Sequence, residues 1–231
     1  MFDGNWRTAV DRSLTPIGHS LRRTGVTPDL ITVVGIVTAT AAAATIGAGY
    51  LRIGLLFLLI AGISDTLDGA VARAADSGSG RGAYFDSVSD RLADALLFGG
   101  VAWHLAGTEP GRIMMLPVAV MAAASFVSYQ RAKAESLGYD AKGGIMERAE
   151  RIIMLALALL FPEILIPVLW IMLALTTVTA VQRFVKVWRQ ASTDRPLPAP
   201  RPRRRLRQRP GGRSESAWAQ RMRERRTLRE G

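Results

Sequence analysis

Three stretches of this 231-residue chain carry no charge at all: Leu30 to Leu51, Ile113 to Gln130 and Ile164 to Gln182. Each is long enough for a membrane crossing, since about 18–20 apolar residues span the hydrocarbon core as a helix. Three more stretches are apolar over most of their length but charged at one end. Arg52 to Ala75 is uncharged from Ile53 to Ser64, then continues as a helix through two aspartates. Gly82 to Leu105 carries two more aspartates before turning apolar (ALLFGGVAWHLAG), and Arg148 to Phe161 is apolar after Arg151. The last stops before Pro162, because proline ends a helix. The pattern predicts six helices with short connections at 50–52, 76–81, 108–111, 137–147 and 162–163. A soluble bundle would have to hide three helices that are apolar all round. The expected fold class is therefore an all-α integral membrane protein with six transmembrane helices.

The ends of the chain follow different rules. Residues 1–27 place Trp6, Val10, Leu14 and Ile17 at helical spacing among charges of both signs. That predicts an amphipathic helix on the membrane surface rather than a signal peptide, which needs a continuous apolar core. Residues 28–190 form the expected membrane domain. The remainder, 191–231, is basic: 13 arginines against four acidic residues give it +9 of the chain's +11. Its PLPAPRPRRRLRQRPGG segment has too little apolar surface to pack a core. It is expected to be a disordered cytoplasmic tail near anionic lipid, at about 1 kcal/mol per basic residue close to the surface. A nucleic-acid-binding reading would rest on this tail alone. Lys and Arg elsewhere gather on one side, at Arg22, Arg23, the 76–81 turn and Lys142, whereas the other side has little beyond Arg52 and Arg112. By the positive-inside bias both termini face the cytoplasm and the chain sits in the cell membrane. With no cysteine, disulfide and thiol chemistry are excluded.

Against that background four acidic residues stand out: Asp65, Asp68, Asp86 and Asp90. One carboxylate at the centre of a membrane helix costs roughly 2.5–3.5 kcal/mol on insertion scales. Helical periodicity puts Asp65, Asp68, Gly69, Ala72 and Arg73 on one face, and the spacing of four puts Gly82, Asp86 and Asp90 on one face of the next helix. The DSGSGR turn between them, residues 76–81, folds the helices antiparallel, so four carboxylates converge near the cytoplasmic end. Crowded carboxylates repel. Hard divalent cations relieve this with oxygen ligands, and no Cys or His cluster offers a softer site. Four aspartates suit two Mg²⁺ ions, or Mn²⁺, and paired metals serve phosphoryl displacement. The competing reading is a set of Asp–Arg ion pairs with Arg73, Arg81 and Arg91. A cation transporter would also use intramembrane aspartates, but it has no use for the glycines and the Ala-Arg pair beside them.

DTLDGAVAR, eight residues, then GAYFDSVSD resembles the CDP-alcohol phosphotransferase signature D-x2-D-G-x2-A-R-x8-G-x3-D-x3-D at every defined position. The resemblance implies a membrane transferase that moves a phosphatidyl-type group from a CDP-linked lipid to an alcohol and releases CMP. It implies metal binding by Asp65, Asp68 and Asp86, with Asp90 both a metal ligand and the general base on the acceptor hydroxyl.

Basic residues then bear on the acceptor. Arg131, Arg151 and Arg183 each follow directly on apolar span sequence, and three cations around one cavity suit an acceptor that carries its own phosphate. Lys142 and Lys186 read as positive-inside anchors. Residues 10–190, through VTPDLIT, SYQRAKAESLGYDAKGGIMERAERIIML and VQR, are similar to the actinobacterial phosphatidylinositol phosphate synthases. That similarity implies inositol 1-phosphate as acceptor, contacts to CDP-diacylglycerol from Asp29, Leu30, Ile31, Thr32, Gly69, Arg73 and Ser79, and a homodimer. Phosphatidylglycerophosphate synthesis from glycerol 3-phosphate is the alternative within the family. His19 and His104 are isolated and receive no role, and Trp103, Trp170 and Trp188 read as interfacial anchors.

Overall fold

The computed structural model describes residues 27–74 and 80–193, apart from the side chains of residues 70 and 72–74. The expected surface helix of residues 1–26, Ser79 and the tail from 194 onward lie outside the described residues.

Thr27 opens the first helix. Its hydroxyl accepts a hydrogen bond from the Leu30 amide at 3.3 Å, and Pro28 occupies the first turn, where a missing N–H costs nothing. The helices are α1 (Pro28–Gly47), α2 (Leu51–Ala74), α3 (Gly80–Thr108), α4 (Met115–Ser136), α5 (Arg148–Leu160) and α6 (Leu165–Thr193), with a 3₁₀ turn at Pro162–Ile164 between the last two. No strand occurs among the described residues. Several ends differ from the hydropathy pattern: α1 stops at Gly47 and α4 runs on to Ser136. α3 runs on to Thr108, and α6 continues well past Gln182. The charged residues that close an apolar run do not stop a helix, because Arg, Lys and Gln are good helix formers.

α1 packs against both α2 and α3, and α4 packs against α6. The α1–α3 crossing is close because Gly100 has no side chain: a Cβ there would sit 2.7 Å from the Ala43 Cα. Small residues that let helix backbones approach are a recurrent device of membrane helices. Leu58, Val101, Val120, Leu155, Leu169 and Met172 fill the shared core. The outward faces remain apolar, with Val37, Trp103, Trp170 and Val181 each more than half exposed. α1 and the segment Pro162–Thr193 are long and apolar enough to cross a membrane. Only 17% of the apolar window of α1 is buried, whereas the core helix of a soluble protein would be covered.

α5 has 13 residues, about 20 Å of helix. Glu147 and Glu150 close its start as a reciprocal capping box. The preceding segment, 137–147, is tied to α6. Gln190 both donates to the Asp140 carbonyl at 2.7 Å and accepts from the Asp140 amide at 2.9 Å. The Lys186 ammonium donates to the Asp140 carboxylate and to the Lys142 carbonyl. The Lys186 contact, with the Lys142 amide, holds the Asp140 carboxyl below its usual range. Gly144 has φ +145°, and any Cβ there would collide with Thr179, whose hydroxyl accepts from the Met146 amide at 2.9 Å.

Candidate functional site

α2 carries two aspartates on one face and α3 carries three, and the fold turns those faces toward each other. Oxygen atoms of Asp65, Asp68 and Asp86 lie within 4.8 Å of one another. A donor set of three carboxylate oxygens at this spacing fits a hard divalent cation. Asp68 is buried and accepts a hydrogen bond from the Thr32 hydroxyl of α1 at 2.8 Å. That bond fixes one oxygen of Asp68 and leaves the other available.

Asp90 has a different partner. The Arg148 guanidinium, at the start of α5, reaches Asp90 Oδ1 at 2.8 Å and Asp65 Oδ1 at 2.5 Å with the same nitrogen, Nη1. Its Nε lies 3.6 Å from Asp94 Oδ1. Asp94 in turn accepts from Arg151 Nη2 at 3.0 Å. Asp–Arg pairing is therefore present, but mostly through arginines other than those the sequence pointed to. Arg81 pairs with Asp29 at 3.3 Å, and Arg91 stands 3.8 Å from Asp90. Arg73 belongs to α2, and its side chain is outside the described atoms.

The four aspartates line one cavity of about 430 Å³. Gly69 lines it too, and so do Arg131, Arg151 and Arg183 from α4, α5 and α6. The three arginines are held differently. Arg183 is 4% exposed and gives Nε to the Gly143 carbonyl, Nη1 to the Val127 carbonyl and Nη2 to Glu147. Arg131 is partly exposed and pairs with Glu135 one turn along its own helix. Arg151 is 4% exposed, with Asp94 as its carboxylate partner. Near the start of α1, Ile31 and Thr32 are buried, whereas Leu30 faces outward.

Three contributors were not singled out from sequence: Asp94, Glu147 and Arg148. Asp94 was legible as the next step in the four-residue spacing Gly82, Asp86, Asp90. Arg148 and Glu147 become meaningful only when α5 is brought against α2 and α6.

A cavity with a carboxylate triad on one wall and buried guanidiniums on the other suits substrates rich in phosphate. The family model for CDP-alcohol phosphatidyltransferase matches residues 25–184. The chain belongs to that family. It is thus a transferase, and the family and its apolar helices together make it membrane-associated. The phosphatidylinositol phosphate synthase of Mycobacterium marinum is 32% identical over 204 residues, covering 84% of this chain and 87% of the relative. Among solved structures, the Mycobacterium tuberculosis phosphatidylinositol phosphate synthase with CDP-DAG bound superposes with a TM-score of 0.73. It is 31% identical over 80% of this chain and 98% of its own. The same enzyme in complex with manganese and citrate gives a TM-score of 0.71 at 31% identity, over 79% of this chain and 93% of its own.

Proposed function

We propose that this chain transfers a phosphatidyl group from CDP-diacylglycerol to inositol 1-phosphate, giving phosphatidylinositol phosphate and CMP. The observation that carries the reading is the single cavity that joins four aspartates on α2 and α3 to Arg131, Arg151 and Arg183 on the other three helices of its wall. The similarity to phosphatidylinositol phosphate synthases supports the choice of acceptor.

In this reading Asp65, Asp68, Asp86 and Asp90 hold two Mg²⁺ ions, or Mn²⁺. Held by these residues, the ions would supply positive charge to balance the carboxylates and Lewis-acid polarisation of the lipid diphosphate. Asp29, Leu30, Ile31, Thr32, Gly69, Arg73 and Ser79 contact the CDP-lipid, and Gly69 lets the headgroup approach the α2 backbone. Arg131, Arg151 and Arg183 attract the acceptor phosphate. Asp90 takes the proton from the acceptor hydroxyl. The hydroxyl oxygen then bonds to the lipid-bearing phosphorus in line, as the bond from that phosphorus to CMP breaks.

All six helices belong to the membrane. α5 is shorter than the hydrocarbon core and is matched to it by local thinning of the bilayer. The aspartates open toward the cytoplasm, as the asymmetry of Lys and Arg supports. Residues 1–27 lie on the membrane surface, 28–190 form the catalytic domain and 191–231 form a cytoplasmic tail. The working form is a homodimer.

The deciding experiment is an acceptor panel. Purified protein with CDP-diacylglycerol and Mg²⁺ is assayed for CMP release with inositol 1-phosphate, free inositol, glycerol 3-phosphate and serine. Rapid release is expected with inositol 1-phosphate and little with free inositol. Faster turnover with glycerol 3-phosphate would replace the acceptor and make the chain a phosphatidylglycerophosphate synthase.

A further inference from the structure

Asp94 stands one turn beyond Asp90, outside the spacing that carries the family resemblance. The step of four keeps it on the face of Asp86 and Asp90, and it lines the same cavity. Its neighbours along α3, Ala93 and Leu97, are buried apolar residues, and its own side chain is 15% exposed. A carboxylate so placed is costly unless paired. Its oxygens face two guanidiniums from the first turn of α5: Oδ2 takes the Arg151 Nη2 bond at 3.0 Å, and Oδ1 lies 3.6 Å from Arg148 Nε.

Those two arginines are only partly satisfied. Nε of Arg148 and Nε of Arg151 are buried N–H donors with no hydrogen-bond partner among the described residues. An unfilled buried donor costs about 1–3 kcal/mol, so both guanidiniums are short of partners and stand to gain from an anion at the edges that line the cavity. Arg183 differs, because Nε and both terminal nitrogens already donate to protein oxygens. A guanidinium recognises phosphate through two parallel N–H groups in a fixed plane. Something must therefore hold the plane of Arg151, and among the described residues the carboxylate that it pairs with is Asp94.

We propose that Asp94 is a positioning residue for the phosphorylated acceptor: it holds Arg151, and with it Arg148, so that their remaining donors meet the acceptor phosphate. The inference rests on the acceptor reading above and narrows it to the first turn of α5. Asp94, itself an anion, acts through Arg151 and does not touch the phosphate.

The test uses the full chain in detergent with saturating Mg²⁺. CMP release is followed against inositol 1-phosphate and, separately, glycerol 3-phosphate. The variants are Asp94→Ala, Asp94→Asn, Arg151→Ala and Asp94→Ala combined with Arg151→Ala. Asp94→Ala should raise the KM for the phosphorylated acceptor about tenfold, equivalent to about 1.4 kcal/mol. The KM for CDP-diacylglycerol should stay within about twofold. Asp94→Asn, which keeps an accepting oxygen, should fall between. Residues that act as one unit are not additive, so the double variant should be no worse than Arg151→Ala alone. Effects that multiply, an unchanged acceptor KM, or a parallel rise in the KM for CDP-diacylglycerol would each overturn the proposal. Thermal unfolding is recorded for every variant. If Asp94→Ala loses its fold, the nearly isosteric Asp94→Asn decides by the same criteria. A preference for glycerol 3-phosphate would remove the named acceptor while leaving the Asp94 test intact, because that test is read with whichever phosphorylated acceptor turns over.

Discussion

Asp65 of α2 and Arg148 of α5 meet at 2.5 Å across the cavity, and the same Arg148 nitrogen reaches Asp90 of α3. One side chain thus ties the three helices that frame the aspartates. Removing a partner from such a half-buried network leaves charge that is only partly compensated, so variants here must be assayed for folding as well as rate.

Asp90 and Asp68 should separate under substitution. Asp90→Asn is expected to lower turnover by about 10²–10⁴-fold, the usual contribution of a general base, while CDP-diacylglycerol binding survives. Asp68→Asn should lose metal-dependent binding as well as turnover, since Asp68 belongs to the carboxylate triad. Lipid binding to each detergent-purified variant, beside CMP release, checks both. Retention of more than about a tenth of wild-type turnover by Asp90→Asn would remove it as the base.

Chelation should stop the reaction reversibly. Excess EDTA is expected to abolish CMP release, and added Mg²⁺ or Mn²⁺ should restore it, because oxygen-only ligands favour hard cations. Activity that persists in chelator would sink the metal account.

Arg151 and Arg183 should fail to different degrees. Arg151→Ala is expected to raise the KM for the acceptor, as loss of a contact made in both ground and transition states does, and to lower Tm as well, because it breaks the buried pair with Asp94. Arg183→Ala removes the partner of Glu147 and frees two backbone carbonyls. Breaking a buried pair costs roughly 3–5 kcal/mol, and Arg183 has more protein partners than Arg151, so its fall in Tm should be the larger and should accompany a rise in acceptor KM. Arg183→Lys should not restore Tm fully, since an ammonium cannot reproduce three divergent bonds.

Gly100→Ala should destabilise by about 1–3 kcal/mol, the typical cost of overpacking, because the new Cβ would meet the Ala43 backbone. Gly99→Ala is the control, as nothing lies within 4 Å of its Cβ position. Equal Tm values for the two variants would contradict the close α1–α3 crossing.

Much of this architecture was legible in the chain. Charge-free runs located α1, α4 and α6, and the four-residue spacing of Asp86 and Asp90 put both on one helix face by periodicity alone. The eight-position aspartate motif was stronger still, since eight fixed residues at fixed spacing rarely coincide by chance. What stayed hidden was pairing across helices. Arg148 looks like any basic residue at the edge of an apolar run, and only the approach of α5 to α2 gives it Asp65 as a partner. The reach of α6 was also obscured, because the end of hydrophobicity at Gln182 marks where the environment changes and not where the helix stops.

The division of the cavity wall has a bearing on ancestry. Its aspartates come from α2 and α3, and its guanidiniums, Arg91 of α3 apart, come from α4, α5 and α6 through Arg131, Arg148, Arg151 and Arg183. On the acceptor reading proposed above, substitutions at Arg131, Arg151 and Arg183 would redraw what is accepted while the aspartates, with Arg148 bonded to two of them, stay as they are. A lineage built this way can diversify its products without reinventing its chemistry.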